Sequence, residues 1–431
     1  MSSTALHAPE IKLPPGSRLP RALQMAAYLT MARPLMQRYS DRFGTVFSMH
    51  IPGFGPAVVI SDPGLAKQFF QYPADAVHAV EPNLSAVIGP GSTFGLQGDE
   101  HKRRRKLLVP PFRGHRMRVY DSLLEEETLA ATANWVDGEE FPVIPTMMTI
   151  GLNTILRAVF GARGDELDAL RPLVPHTVDA ASRLAMVPWL HRDFGRFSPW
   201  RRYLAKREAM YAVFDQVIQR ALDDPELPER QDVLALLLQT VDEDGVAMDR
   251  RVIAEELLTL VGAGHETTAT TVSWAIERLR RHPEVLARLV AELDAGQTAY
   301  LDATVQEVLR VRPPIDAVAR RVVAPSITLG PWVIPRDYTV VVGIGLSHLN
   351  DASFEDAATF DPGRFLANAP NPYAWVPFGG GVRRCPGAAF AHMEVGVILR
   401  TLLREFELVP TGAPAERWKS RGVAFAPAGG G

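Results

Sequence analysis

The chain has one cysteine in 431 residues, Cys385, so no intramolecular disulfide can staple it. It also lacks any apolar run of about 20 residues, the length a membrane-spanning helix needs. The best N-terminal candidate, Ala22 to Ala32, is short, contains Gln24 and Thr30, and is flanked by Arg21 and Arg33. No basic start followed by an apolar run opens the chain, so no secretory leader is expected. Charge of one sign is not in excess: 46 basic against 49 acidic residues leave −3, with no global pull towards nucleic acid. The 33 glycines and 35 prolines are too few and too scattered for a low-complexity chain. What remains is an ordinary globular balance, 47% hydrophobic and 22% charged, enough for a large core. No repeat, linker or domain boundary appears, so residues 1–431 are expected to form a single domain and a monomer.

The lone thiol takes its meaning from its neighbours in Phe378-Gly379-Gly380-Gly381-Val382-Arg383-Arg384-Cys385-Pro386-Gly387. Three glycines let the backbone turn tightly around a buried, electron-rich sulfur. Pro386 suits a first helical position, which puts Cys385 at the start of an apolar helix from Ala388 to Leu403. A thiolate there faces unpaired backbone donors and the positive end of a helix dipole, which favours metal ligation. A cysteine taken alone is more often a small buried hydrophobe. The run around this one argues otherwise.

That run resembles the haem-binding signature of the cytochrome P450 family, Phe-Gly-x-Gly-x-Arg-x-Cys-x-Gly, and matches every fixed position through Gly387. The resemblance implies that Cys385 is the axial thiolate of a haem b iron, favouring O–O cleavage. It implies further that Phe378 packs near the haem, that Arg383 contacts a propionate, and that Gly387 belongs to the cofactor-binding loop. The implied fold is mainly α with small β-sheets, a triangular prism with haem between a long central helix and the cysteine loop. It covers essentially the whole chain. Family members from eukaryotes usually carry a membrane anchor; this chain looks like a bacterial, cytoplasmic member.

Asp249 can cap a helix from Arg250 to about Leu279, roughly 45 Å long. Its centre reads Gly262-Ala263-Gly264-His265-Glu266-Thr267-Thr268, poor helix interior that predicts a local distortion. The segment resembles the family's acid–alcohol motif. Carried over, Glu266 and Thr267 relay protons to dioxygen at the iron, while Ala263 and Gly264 leave room for oxygen and substrate. His265-Glu266 does not open a zinc site of the form His-Glu-x-x-His, because position 269 is Ala269. His265 is therefore expected to pack or to hydrogen-bond.

Glu307 and Arg310 share a helix face three residues apart, ahead of Pro313. They resemble the family's Glu-x-x-Arg motif, whose partner arginine matches Arg364 in Asp361-Pro362-Gly363-Arg364-Phe365; the implied role is structural. The basic run from His101 to Lys106 reads as a solvated helix face, with nucleic acid a remote alternative. By resemblance, His101 and Arg105 reach the haem propionates. Of Arg320 and Arg321, the spacing favours Arg321 as the third propionate ligand. Arg104, Arg384, Arg400 and Arg404 are expected to form a basic face for an acidic electron donor.

The resemblance draws the substrate pocket from several segments. The residues singled out are Ala263, Ile315, Asp316 and Val318, with apolar Val87, Ile88, Leu184 to Val187, Trp189 and Leu190 around them. Such a lining favours a lipophilic molecule: a fatty acid, steroid, terpenoid or secondary metabolite. Asp316 is expected either as a turn residue or as an anchor for a polar substrate group. The implied activity is insertion of one atom of O2, by hydroxylation or epoxidation. The sequence holds no dinucleotide fingerprint or cluster-binding cysteines, so NAD(P)H-derived electrons are expected from a separate ferredoxin and ferredoxin reductase. A peroxide-driven peroxygenase and a haem protein that senses a ligand without turnover are the alternatives. The Glu266-Thr267 pair argues against both.

Overall fold

Valine-rich segments from the two ends of the chain share one five-stranded sheet. The strands are β1 (Val46–Ile51), β2 (Gly55–Ile60), β3 (Val77–Ala79), β4 (Ala317–Val322), β5 (Ser326–Leu329), β6 (Trp332–Pro335) and β7 (Thr339–Gly343). The sheet order is β1-β2-β7-β4-β3. β2 runs parallel to β7, with Val58 opposite Val340, and β7 runs antiparallel to β4, with Val342 opposite Val318. All five residues of β7 are buried, as a central strand covered on both faces requires. β1 instead alternates buried with half-buried positions, as a strand with one wetter face does.

The alternating stretch 326–342, with turn signals at Gly330-Pro331 and Pro335-Arg336-Asp337, predicts short β-hairpins; β5 and β6 make the first, turning at Gly330 with φ +54°. The second turn signal, Pro335-Arg336-Asp337, closes no hairpin. There Asp337 adopts φ +68° and the chain leaves β6 for β7, in the other sheet. Local composition marks the turn but cannot say which strand the next segment will pair with.

The computed structural model describes residues 10–80, 84–112, 117–162, 164–185, 190–230, 232–241, 245–367 and 369–431. They divide into two units. The first comprises Met1–Glu81, Asp316–Ala357 and Pro370–Arg384 and holds these seven strands. The second comprises Pro82–Ile315, Ala358–Ala369 and Cys385–Gly431; it is mainly helical and ends in the hairpin β8 (Trp418–Ser420) with β9 (Phe425–Pro427).

The long helix of the second unit runs Arg250–Arg281. Asp249 caps it as expected, its carboxylate accepting from the amides of Arg251 at 2.7 Å and Val252 at 3.4 Å. The expected distortion at Gly262 and Gly264 is not there; the helix is continuous. Its glycine is used for close packing instead. A Cβ on Gly264 would stand 2.9 Å from Ile155 Cδ1, and one on Gly151 would stand 3.0 Å from the His265 carbonyl oxygen. Both contacts lie between the long helix and the helix Ile144–Phe160. Close packing offsets the roughly 1 kcal/mol that a helical glycine costs. The helix after the cysteine runs Ala388–Glu405 with Gly387 as its cap, so Pro386 precedes the helix instead of opening it.

Candidate active site

The long helix is buried from Ile253 to Val261 and from Thr268 to Leu279, yet between them Ala263 is exposed and Gly262, Gly264 and Thr267 are partly so. An accessible face in the middle of a buried helix is the local mark of a site. Ala263 and Thr267, four apart, lie on that face, and the Thr267 hydroxyl donates to the Ala263 carbonyl at 2.8 Å. That leaves the hydroxyl oxygen with acceptor capacity. Gly264, next to Ala263, makes room for Ile155 on its other side.

Glu266 turns away from Thr267. It is buried, and its Oε1 accepts from Arg421 Nε at 2.9 Å. Burial pushes its carboxyl above the usual range, and Arg421 partly opposes this. A carboxyl so placed holds a proton more readily than an exposed one. His265 is fully buried and bonds Val261 O through Nδ1 at 2.9 Å, while burial disfavours its charged form. Glu394, on the helix after the cysteine, is also buried and bonds the Thr268 hydroxyl; burial pushes its carboxyl up to about 8. Neither Arg421 nor Glu394 carries a sequence signal, because each meets the long helix only through the fold.

Cys385 is exposed and lies just before the cap of Ala388–Glu405. His101 and Arg105 sit on the helix Gly98–Leu108, the first buried and the second half-buried. Arg104 is not part of a docking face. It is buried, bonding Glu256 Oε2 at 2.8 Å and Gly91 O at 2.9 Å. Arg400 likewise engages Asp121 at 2.8 Å, whereas Arg384 and Arg404 are exposed. Also in this unit, Glu307 accepts from Arg310 Nε at 2.6 Å, from Arg364 Nε at 3.3 Å and from the Asp361 amide at 2.8 Å. The three charges expected to form a buried structural cluster do come together. Ile315, which ends the longest segment of this unit, is half-buried.

In the first unit, Arg320 and Arg321 point to opposite faces of β4. Burial pushes the pKa of Arg320 down to about 10, and the nearby charge of Arg383 pushes the same way. Arg321 stands across from His78 in the register with β3. Of the two arginines that the sequence offers, Arg320 is the one whose charge interacts with that of Arg383. Gly380 and Gly381 pack on Phe70: a Cβ on Gly380 would fall 2.3 Å from the ring, and one on Gly381 2.4 Å from the Phe70 carbonyl oxygen. Phe378 meets Trp375 edge to face at 6.1 Å, and Val318 is half-buried. Asp316 pairs with Arg33 Nη1 at 2.9 Å, and its carbonyl accepts from the Ile344 amide at 2.8 Å. Its carboxylate is thus committed to a long-range ion pair and is neither a local turn residue nor a substrate anchor. Met186, Val187 and Trp189 lie outside the described residues.

The model of the cytochrome P450 family matches residues 13–429. The chain belongs to the cytochrome P450 family. It is 49% identical over 423 residues to a Mycobacterium tuberculosis protein carrying the name cytochrome P450 138, covering 98% of this chain and 96% of that one. It is 36% identical over 435 residues to cytochrome P450 137 of the same species, covering 98% and 91%. Among solved structures it is similar to a cytochrome P450 (CYP102L1), with TM-score 0.83 and 23% identity over 98% of each chain. It also resembles a retinoic acid-bound cyanobacterial CYP120A1, with TM-score 0.79 and 22% identity over 91% and 92%. The P450 fold, mainly helical with small sheets, is thereby established, as are haem as cofactor and membership of a class of monooxygenases.

The residues present fit that cofactor. Among the described residues no group of three or more His, Cys, Asp or Glu converges on a metal, so an exposed single thiolate suits a macrocycle that supplies the remaining donors. The two facing cations Arg320 and Arg383 suit a carboxylate. No described helix is long and apolar enough to cross a membrane.

Proposed function

We propose that Cys385 is the thiolate ligand of the haem and that Thr267 and Glu266 handle protons for a monooxygenase acting on a lipophilic small molecule. The observation that carries this reading is the accessible face of Ala263 and Thr267 on an otherwise buried helix, with the buried acid Glu266 just before Thr267. When bound, the haem supplies oxygen activation at a thiolate-ligated iron. The protein's own residues do the rest. Ala263 has a small enough side chain to admit a substrate to that face. Thr267 offers a hydroxyl anchored to the helix carbonyl, able to orient a water or a donor at the site. Pairing with Arg421 favours the charged form of Glu266 and burial favours the neutral one, so the carboxyl can take up a proton when the pair opens and pass it on as the pair re-forms.

His101, Arg105, Arg320 and Arg383 hold the propionates, with Phe378 and Gly387 in the cofactor loop. Arg320 is preferred to Arg321 because its charge lies near that of Arg383, and an anion between them relieves the repulsion. Ala263, Ile315 and Val318 are assigned to the apolar substrate pocket. Hydroxylation or epoxidation with electrons from a separate ferredoxin and its NAD(P)H-dependent reductase is the simplest scheme, with exposed Arg384 and Arg404 available to an acidic donor. The deciding experiment is the reduced carbon monoxide spectrum of the Cys385→Ser variant. Loss of the thiolate-type band is expected, and its retention would sink the ligand assignment.

A further inference from the structure

We infer that the first half of the helix Arg21–Phe43 is a docking surface for an anionic lipid bilayer. This half packs on the core through Ala27 and Tyr28 yet leaves a second apolar stripe outside. Helical geometry puts Ala22, Met25, Ala26 and Leu29 on one stripe, at i, i+3, i+4 and i+7. A surface helix ordinarily turns such a stripe to the core. Here all four residues are exposed, Leu29 by 73%, while the polar Gln24 faces inward and is only 2% exposed. Gln24 is fixed there by bonds from Nε2 to Leu19 O at 2.7 Å and from the His50 amide to Oε1 at 2.9 Å. The inversion is therefore specified, not a frayed end.

The second half of the same helix is conventional. After a break at Met31, with φ −147° and ψ 48°, Leu35 and Tyr39 pack into a core cluster with Phe47 and Val59. Before the break only Ala27 and Tyr28 reach that cluster, and the stripe Ala22, Met25, Ala26 and Leu29 stays outside. Six of the seventeen exposed large hydrophobic side chains among the described residues fall within residues 11–31, so the patch is a concentration and not scatter.

Charge names the occupant. From residue 11 to residue 40 there are five basic residues and no acidic one, in a chain whose net charge is −3. Arg33 is engaged by Asp316, but Arg18, Arg21 and Arg38 are exposed. An apolar helical stripe bordered by arginines, and too short to span, is the pattern of a helix lying in the headgroup region of an anionic leaflet. A peripheral position of this kind needs no spanning segment. It does not depend on which residues handle oxygen.

The test is co-sedimentation of the full-length holoenzyme with vesicles of phosphatidylcholine alone and of phosphatidylcholine mixed with phosphatidylglycerol. Binding to the mixed vesicles is expected to be tighter by tenfold or more on the order-of-magnitude contribution of two or three arginines near an anionic surface, and to weaken as salt is raised. The double variant Met25→Glu/Leu29→Glu changes only exposed side chains and should keep the helical circular dichroism and melting temperature while losing vesicle binding. Arg18→Gln/Arg21→Gln should lose the preference for phosphatidylglycerol. The inference is overturned by absence of binding to either vesicle, or by binding that survives Met25→Glu/Leu29→Glu. A concentration-dependent dimer that this variant dissociates, without vesicle binding, would instead make a second copy of the chain the occupant.

Discussion

Thr267 and Glu394 show how differently two side chains near the same helix can be placed. The Thr267 hydroxyl is partly accessible and tied to its own helix, so removing it leaves the backbone bonds intact. Thr267→Ala is expected to keep haem and substrate binding, to slow product formation on the order of 10²-fold, and to divert reducing equivalents into free hydrogen peroxide. Peroxide assay against NAD(P)H consumed checks this, and full coupling in the variant would refute the relay role. Glu394 is read through pH instead. Its carboxyl rises from an ordinary 4.5 to about 8 on burial, so the folded chain binds more protons than the unfolded one between those values. Stability should therefore fall as pH rises through that window and level off above it. Glu394→Gln should flatten the slope, removing a pH-dependent loss of up to about 5 kcal/mol, as denaturant unfolding at stepped pH would show. Neither Glu394 nor Arg421 was legible in the sequence, whereas Cys385 was, because its chemistry is written in adjacent residues.

At the scale of elements, the long helix was the most readable part of the chain. Its cap, length and polar centre could all be placed from residue order, since each depends on neighbours within one turn. Asp249→Ala removes an acceptor for two amides and should cost about 1 kcal/mol in a urea titration, with little change in spectrum. What could not be read was the purpose of its glycines. Gly264 and Gly151 look like weak points until Ile155 and the His265 carbonyl are seen against them. The strands tell the same story. Alternating and valine-rich runs mark β1, β2 and β5 to β7 as strands, but nothing local marked β4, and the parallel pairing of β2 with β7 joins residues about 280 apart, which no local pattern encodes. Of the arginine pair on β4, spacing along the chain selected Arg321, while the strand's alternation brought Arg320 to Arg383.

For the whole molecule, a single thiol makes an assignment of function into a statement about stability. With no disulfide to lose, the melting temperature should be indifferent to dithiothreitol, and a shift of several degrees would indicate an intermolecular bridge. Alkylation of the apoprotein should modify one site per chain and block recovery of the haem spectrum, because that site is the proposed ligand. The sequence by itself determined the cysteine loop, the long helix with its cap, the charged cluster of Glu307, Arg310 and Arg364, and the lack of a spanning segment. These rest on short-range pattern or on motifs of fixed spacing. Only the tertiary structure decided that Asp316 belongs to Arg33, that Arg104 is locked to Glu256, that Glu266 is held by Arg421, and that Gln24 faces inward while Leu29 faces out. Each of those outcomes depends on a partner far along the chain, and burial and charge pairing act through space, not along sequence.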